Sequence, residues 1–198
     1  MRKSCLRLLA LFAVSLSAAV ATPSNWTGRY APCGRHDKLL SHDHVDLGVR
    51  VSSANPVLDR AFLHAMDFWA GVLDMSWHEV SSGDCAVELV DGAKSLFDTP
   101  GVAARSQYPD RAGFEGWVAF NPASKLTEQQ MFIISVHEIG HLLGLPHNPN
   151  GSSVMYFFTL DESVWLDSAD LKALATRHKL RPALFESGRL VSRRLPTP

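Results

Sequence analysis

The segment His137-Glu138-Ile139-Gly140-His141, followed by Gly144 and then by His147, constrains this chain more than any other feature. Histidines four residues apart lie on one face of an α-helix, one turn above the other. Gly144 can adopt the positive φ that ends a helix and reverses the chain, and Leu145, Pro146 and His147 follow it directly. A fold that accepts this segment must supply a helix, a glycine stop and a return loop that brings a third imidazole back to the first two.

Three neutral nitrogens meeting in this way suit one tetrahedral zinc ion (Zn2+) and leave its fourth position to water, the arrangement of a reactive site. Glu138, beside the first ligand, is the candidate base. Amide hydrolysis near neutral pH lacks a good nucleophile. Zinc lowers the pKa of its water to ~7 and polarises the carbonyl, while a carboxylate takes the proton and can return it to the leaving amine. A bare H-E-x-x-H occurs by chance on surface helices. The extended H-E-x-x-H-x-x-G-x-x-H, in a helical stretch with a glycine stop, leaves little room for three unliganded histidines.

The ends of the chain bear on where such a site works. Arg2 and Lys3 precede an apolar stretch from Leu6 to Val20 that closes in Ala19-Val20-Ala21. This pattern predicts a secretory signal over residues 1–21, shorter than the ~20 apolar residues of a membrane span. The expected location is therefore extracellular or periplasmic, with no span in the mature chain. Export removes Cys5 and leaves Cys33 and Cys85. Either these two close a disulfide over a loop of about fifty residues, worth ~3 to 4 kcal/mol, or Cys33 is a free thiol with a regulatory role. A net charge of -1 gives no reason to expect nucleic acid or an anionic membrane as partner. With 198 residues and 46% hydrophobic content, the chain has material for one core, and a monomer is expected.

Residues 22–41 hold Pro23, Gly28, Pro32 and Gly34 without apolar periodicity and read as an extended lead-in to a domain over 42–182. Val45, Leu47, Val49 and Val51 alternate with Asp46, Gly48 and Arg50, which predicts a half-buried strand. Asn55 and Pro56 supply a cap and a first-turn proline for a helix reaching about Leu73. Further strands are expected at 75–80, 86–90, 102–107 and 116–120. Thr127 and Gln130 have capping-box spacing for a second helix from Glu128 to Gly144, and Ser168 is the expected cap of a third. Residues 183–198 read as a flexible tail.

With Ser153-Val154-Met155-Tyr156 downstream, the histidine segment resembles the metzincins, and among them the matrixins. Leu58-Asp59-Arg60-Ala61-Phe62 and the stretch from Leu166 to Leu174 are similar to the helices that flank a matrixin catalytic domain. The resemblance spans about residues 45–180, and its specific part is 136–156. It implies an α+β fold: a twisted, mixed five-stranded sheet with one antiparallel edge strand, packed on two long helices, the second of them the active-site helix. A Met-turn with Met155 beneath the metal and a third helix in a small C-terminal subdomain complete it. It also implies a peptide or protein substrate, extended along the edge strand, with one side chain in a pocket beside the second helix. Here Val102 to Tyr108 is the expected edge, bringing Val102 and Ala104 to the cleft, and Val154 to Phe158, with Tyr156, a pocket wall.

The sequence also departs from that family. Asn148 stands where matrixins have Ser or Thr, and Phe157 where they have proline. No histidine occurs between Asp91 and Asn121, so no structural zinc is expected, while calcium (Ca2+) through Asp98 or Glu115 is a secondary expectation. Pro32-Cys33-Gly34 resembles a fragment of the cysteine switch with which a matrixin pro-segment caps its own zinc, in competition with the Cys33–Cys85 disulfide. His42, His44, His64, His78 and His178 receive no role. The expected function is a secreted zinc endopeptidase. The alternatives are a zinc-dependent binding or inhibitory protein without turnover, and a hydrolase of non-peptide amides.

Overall fold

The computed structural model describes residues 44–81, 86–106, 116–157, 163–186, 189–190 and 193–196. The expected signal segment, the lead-in with Cys33, and also Cys85, Tyr108, Glu115 and Phe158 lie outside the described residues.

Five strands, β1 (Val45–Ser52), β2 (Met75–Glu79), β3 (Val87–Asp91), β4 (Ala104–Ser106) and β5 (Gly116–Phe120), form one sheet in the order β2-β1-β3-β5-β4. All neighbours are parallel except β4, which runs antiparallel to β5 and forms one edge. This is the mixed sheet of the expected α+β fold.

The alternation of the strands sorts side chains onto two faces. Leu47, Val49, Val87, Leu89, Ala104, Val118 and Phe120 point to the main core. On the other face, Val90, Trp117 and Ala119 form a smaller cluster with Leu96 and Phe97, in the stretch that lacks histidine. Arg50 there donates twice, at 2.9 Å, to Glu88, which also accepts from Ser52, so the buried carboxylate is well compensated.

Helices α1 (Pro56–Ala70) and α2 (Glu128–Leu142) cover the core face. Asn55 caps α1 by accepting from Val57 and Leu58 N–H, and Thr127 and Gln130 close the expected capping box at the start of α2. The Trp69 indole, fully buried, donates to the Val136 carbonyl at 3.2 Å and pins the two helices together. Truncating such a residue to alanine typically costs about 3 to 5 kcal/mol.

Helix α1 stops at Ala70, before the expected Leu73, because Val72 and Leu73 turn back onto Trp69 through backbone hydrogen bonds. The cap of α3 (Ser168–Ala175) also differs from expectation. Asp167, not Ser168, accepts from the Ala169 and Asp170 N–H groups, and Asp170 returns the bond to the Asp167 N–H.

Beyond Pro182, where the sequence suggests a flexible tail, Leu184 and Leu195 are buried in the core. Between them β9 (Arg193–Arg194) pairs with β6 (Trp165–Leu166), and β7 (Phe185–Glu186) pairs with β8 (Arg189–Leu190). Those two leucines anchor a stretch whose arginines dominate its sequence pattern.

Candidate metal centre

Helix α2 presents His137, Glu138 and His141, and its end brings His147 to them. Gly144 has φ +86°, with its N–H bonded to the His141 carbonyl and that of Leu145 to Gly140, the paired bonds of a Schellman stop. A side chain at Gly144 would meet the Arg177 guanidinium, which donates to the Gly144 carbonyl. Conformation is what requires glycine here, since the Arg177 side-chain end could shift to make room but the positive φ could not.

The return loop also fixes the ring orientations. His141 Nδ1 donates to the Leu145 carbonyl at 2.7 Å, and His137 Nδ1 donates to the Val154 carbonyl at 2.7 Å. A carbonyl can only accept, so both rings carry their proton on Nδ1 and turn an unprotonated Nε2 inward. His141 Nε2 lies 3.0 Å from His137 Nε2 and 3.2 Å from His147 Nε2. Nitrogens on a tetrahedral zinc, at bonds of about 2.0 to 2.1 Å, stand roughly 3.3 Å apart. The facing lone pairs of His137 and His141 repel one another without a shared cation, and the donor set fits zinc.

Burial keeps the imidazoles neutral. It lowers His137, although the Val154 carbonyl opposes it, and lowers His141 well below the ordinary range, with the neighbouring His137 adding to the effect. His147 falls to about 4, first from burial and then from His137. Glu138 moves the other way: burial pushes it up to about 7, while the Ser106 hydroxyl and the Arg105 charge pull it down. Ser106, on β4, donates to Glu138 Oε2 at 2.5 Å.

Below the histidines, Met155 is fully buried against Gly140. A Cβ at Gly140 would stand 2.6 Å from Met155 Sδ, so the glycine is what admits the methionine. The turn itself is tied on three sides. Met155 N–H donates to Ser153 Oγ, Asn148 N–H to the Met155 carbonyl, and Val154 N–H to the Trp165 carbonyl. Ser153 Oγ in turn donates to Asp170 at 2.6 Å.

Asn148 completes this network. Its side-chain amide donates to Asp167 at 3.0 Å and to Asp170 at 2.8 Å, and its Oδ1 accepts from the Asn150 N–H at 2.9 Å. The departure at position 148 thus has a structural consequence, since one amide joins the loop after His147 to the start of α3.

The family model described as Matrixin matches residues 47–178, well over half of the chain. The chain belongs to the matrixins. Stromelysin-2 of Rattus norvegicus is 27% identical over 139 residues, 64% of this matrixin and 29% of that protein. Matrix metalloproteinase-26 of Homo sapiens is 31% identical over 104 residues, 47% and 39% of the two chains. Macrophage metalloelastase of Rattus norvegicus is 28% identical over 153 residues, 70% and 29%. This matrixin therefore spans well under half the length of the curated relatives it matches.

The other expected site residues lie as follows. Val102 is half-buried beside β4, Ala104 is buried on the core face of that strand, Val154 is fully buried, and Tyr156 is half-buried. Phe157 is exposed, with its ring 6.1 Å from that of His147. Asp98 is exposed and faces the Arg105 guanidinium at 3.5 Å. His178 is buried and bonded to the Leu143 carbonyl. Ser106 and Asp170 carry parts of the site that neither the histidine motif nor the Met-turn motif contains. Strand parity, which puts Ser106 on the face of Ala104, was the one available signal for Ser106.

Proposed function

We propose that this matrixin is an exported zinc-dependent endopeptidase in which His137, His141 and His147 hold the metal and Glu138 is the general base. The observation that carries this reading is the convergence of three Nε2 atoms, two of them fixed in tautomer by backbone carbonyls, beside a buried carboxylate on the same helix. Zinc, when bound, supplies a Lewis acid that acidifies water and polarises a carbonyl. Glu138 takes the proton of the attacking water and delivers it to the departing amine.

Substrate class follows from the family and from β4, whose outer side pairs with no strand among the described residues and can accept an extended peptide. Export rests on the leader pattern at residues 1–21, and among the described residues no helix is long and apolar enough to cross a membrane.

A digest of a generic peptide library by the zinc-loaded protein, with and without chelator, tests the proposal. Cleavage that the chelator abolishes and zinc restores is expected. Metal binding without cleavage would favour the binding-protein alternative, and cleavage indifferent to the chelator would remove zinc from the mechanism.

A further inference from the structure

The Glu138 carboxylate is buried on a helix, yet the side chain that hydrogen-bonds to it comes from the sheet. Ser106 is fully buried in β4, where its backbone is paired with Val118 of β5. Alternation places it on the same face as Ala104, toward the helices, with Arg105 on the other. An apolar residue would satisfy packing at that position, as Ala104 does two residues earlier. Instead a hydroxyl reaches Glu138 Oε2 at 2.5 Å, and among the described residues this is the only hydrogen bond of either side chain.

A carboxylate offers two oxygens, and a base must present one of them to the proton it removes. On a helix, Glu138 has three side-chain torsions through which the carboxylate can turn away. The Ser106 bond ties Oε2 to β4, a strand whose backbone is paired with β5, and Oε1 is then the oxygen that can meet the reacting water.

We propose that Ser106 is the positioning residue of Glu138, its hydroxyl holding Oε2 so that Oε1 faces the point on which the three imidazoles converge. The inference rests on the peptidase reading above. Ser106 keeps its proton throughout and exchanges nothing with substrate. It sets the direction of the base and so acts on the chemical step more than on substrate binding. Partners that orient groups at a metal site typically change affinity or activity ~10- to 100-fold when removed.

The test compares zinc-loaded wild type with Ser106→Ala, Ser106→Thr and Ser106→Cys. The cysteine variant nearly preserves volume while replacing the hydroxyl with a weak donor, and it serves where alanine loosens the core. Each is measured for zinc content, thermal midpoint, calorimetric affinity for acetohydroxamate, and kcat and KM on a peptide substrate. Acetohydroxamate chelates zinc and donates a proton to a correctly aimed carboxylate, so its affinity reads the Glu138 orientation without turnover. With one zinc retained, Ala and Cys should weaken acetohydroxamate about tenfold and lower kcat about 10- to 100-fold with KM within about twofold, and Thr should recover most of both. Wild-type acetohydroxamate affinity in Ala and Cys would overturn the proposal, as would a loss that Thr does not rescue. A wild type that binds acetohydroxamate but cleaves no peptide would end the peptidase reading, while the acetohydroxamate comparison still decides the role of Ser106.

Discussion

Replacing Asn148 by alanine should destabilise the domain by about 2 to 4 kcal/mol, and the magnitude can be worked from the bonds lost. Asn148 is buried, and its amide is the donor lying between Asp167 and Asp170, at 3.0 and 2.8 Å. Hydrogen bonds to charged groups contribute about 1.5 to 3 kcal/mol each, and two in one network add incompletely. Asp170 feels the loss most. Burial already raises its pKa, and the Asn148 amide is one of the bonds that hold it down, along with the stronger bond from Ser153. Serine at 148 keeps one donor and should recover roughly half of the loss. Aspartate, which sets a third carboxylate against two, should be worse than alanine. Urea titration of the metal-free protein at neutral pH measures these differences without zinc stabilising the native state by mass action. The order Asn, Ser, Ala, Asp from most to least stable is expected. An alanine variant within about 0.5 kcal/mol of wild type, the range of an ordinary surface substitution, would refute the clamp.

Gly140→Ala sets a Cβ 2.6 Å from Met155 Sδ and 3.3 Å from the Trp69 ring. It should cost about 1 to 3 kcal/mol from overpacking. It should also weaken zinc in a competition titration, because Val154, next to Met155, holds His137 Nδ1; unchanged zinc affinity would contradict that coupling. The metal-free protein should lose stability as pH falls from 7 toward 4. Imidazoles lowered in the folded state take up protons preferentially when unfolded, so stability drops below the ordinary histidine value of 6.5. Glu138, raised from 4.5 to about 7, acts in the opposite sense and offsets His147, lowered from 6.5 to about 4, which leaves His137 and His141 to set the sign. Urea midpoints that stay level or rise on acidification would refute it.

What the sequence discloses follows from where its information is local. The β1 alternation, the Asn55 and Thr127 caps and the helix period at His137 and His141 are each decided within a few residues, and each agrees with the structure. The Asp167 cap was harder to see because Asp167 and Ser168 are both good caps, and only the returning bond from Asp170 chooses between them. Ser106 and Glu138 are 32 residues apart, so no periodicity links them. Asn148 is visible in sequence as a departure from family, but the two carboxylates that explain it sit at the start of α3 and are identified only by contact. The buried tail leucines are not legible in the sequence, because isolated apolar residues among arginines give no period.

The most direct test of the central claim is hydrolysis by zinc-loaded Glu138→Ala. This variant should keep one zinc per chain, since backbone carbonyls and not the carboxylate orient the His137 and His141 rings, and its peptide cleavage should fall below detection. Peptide hydrolysis near the wild-type rate, with the zinc still bound, would contradict it.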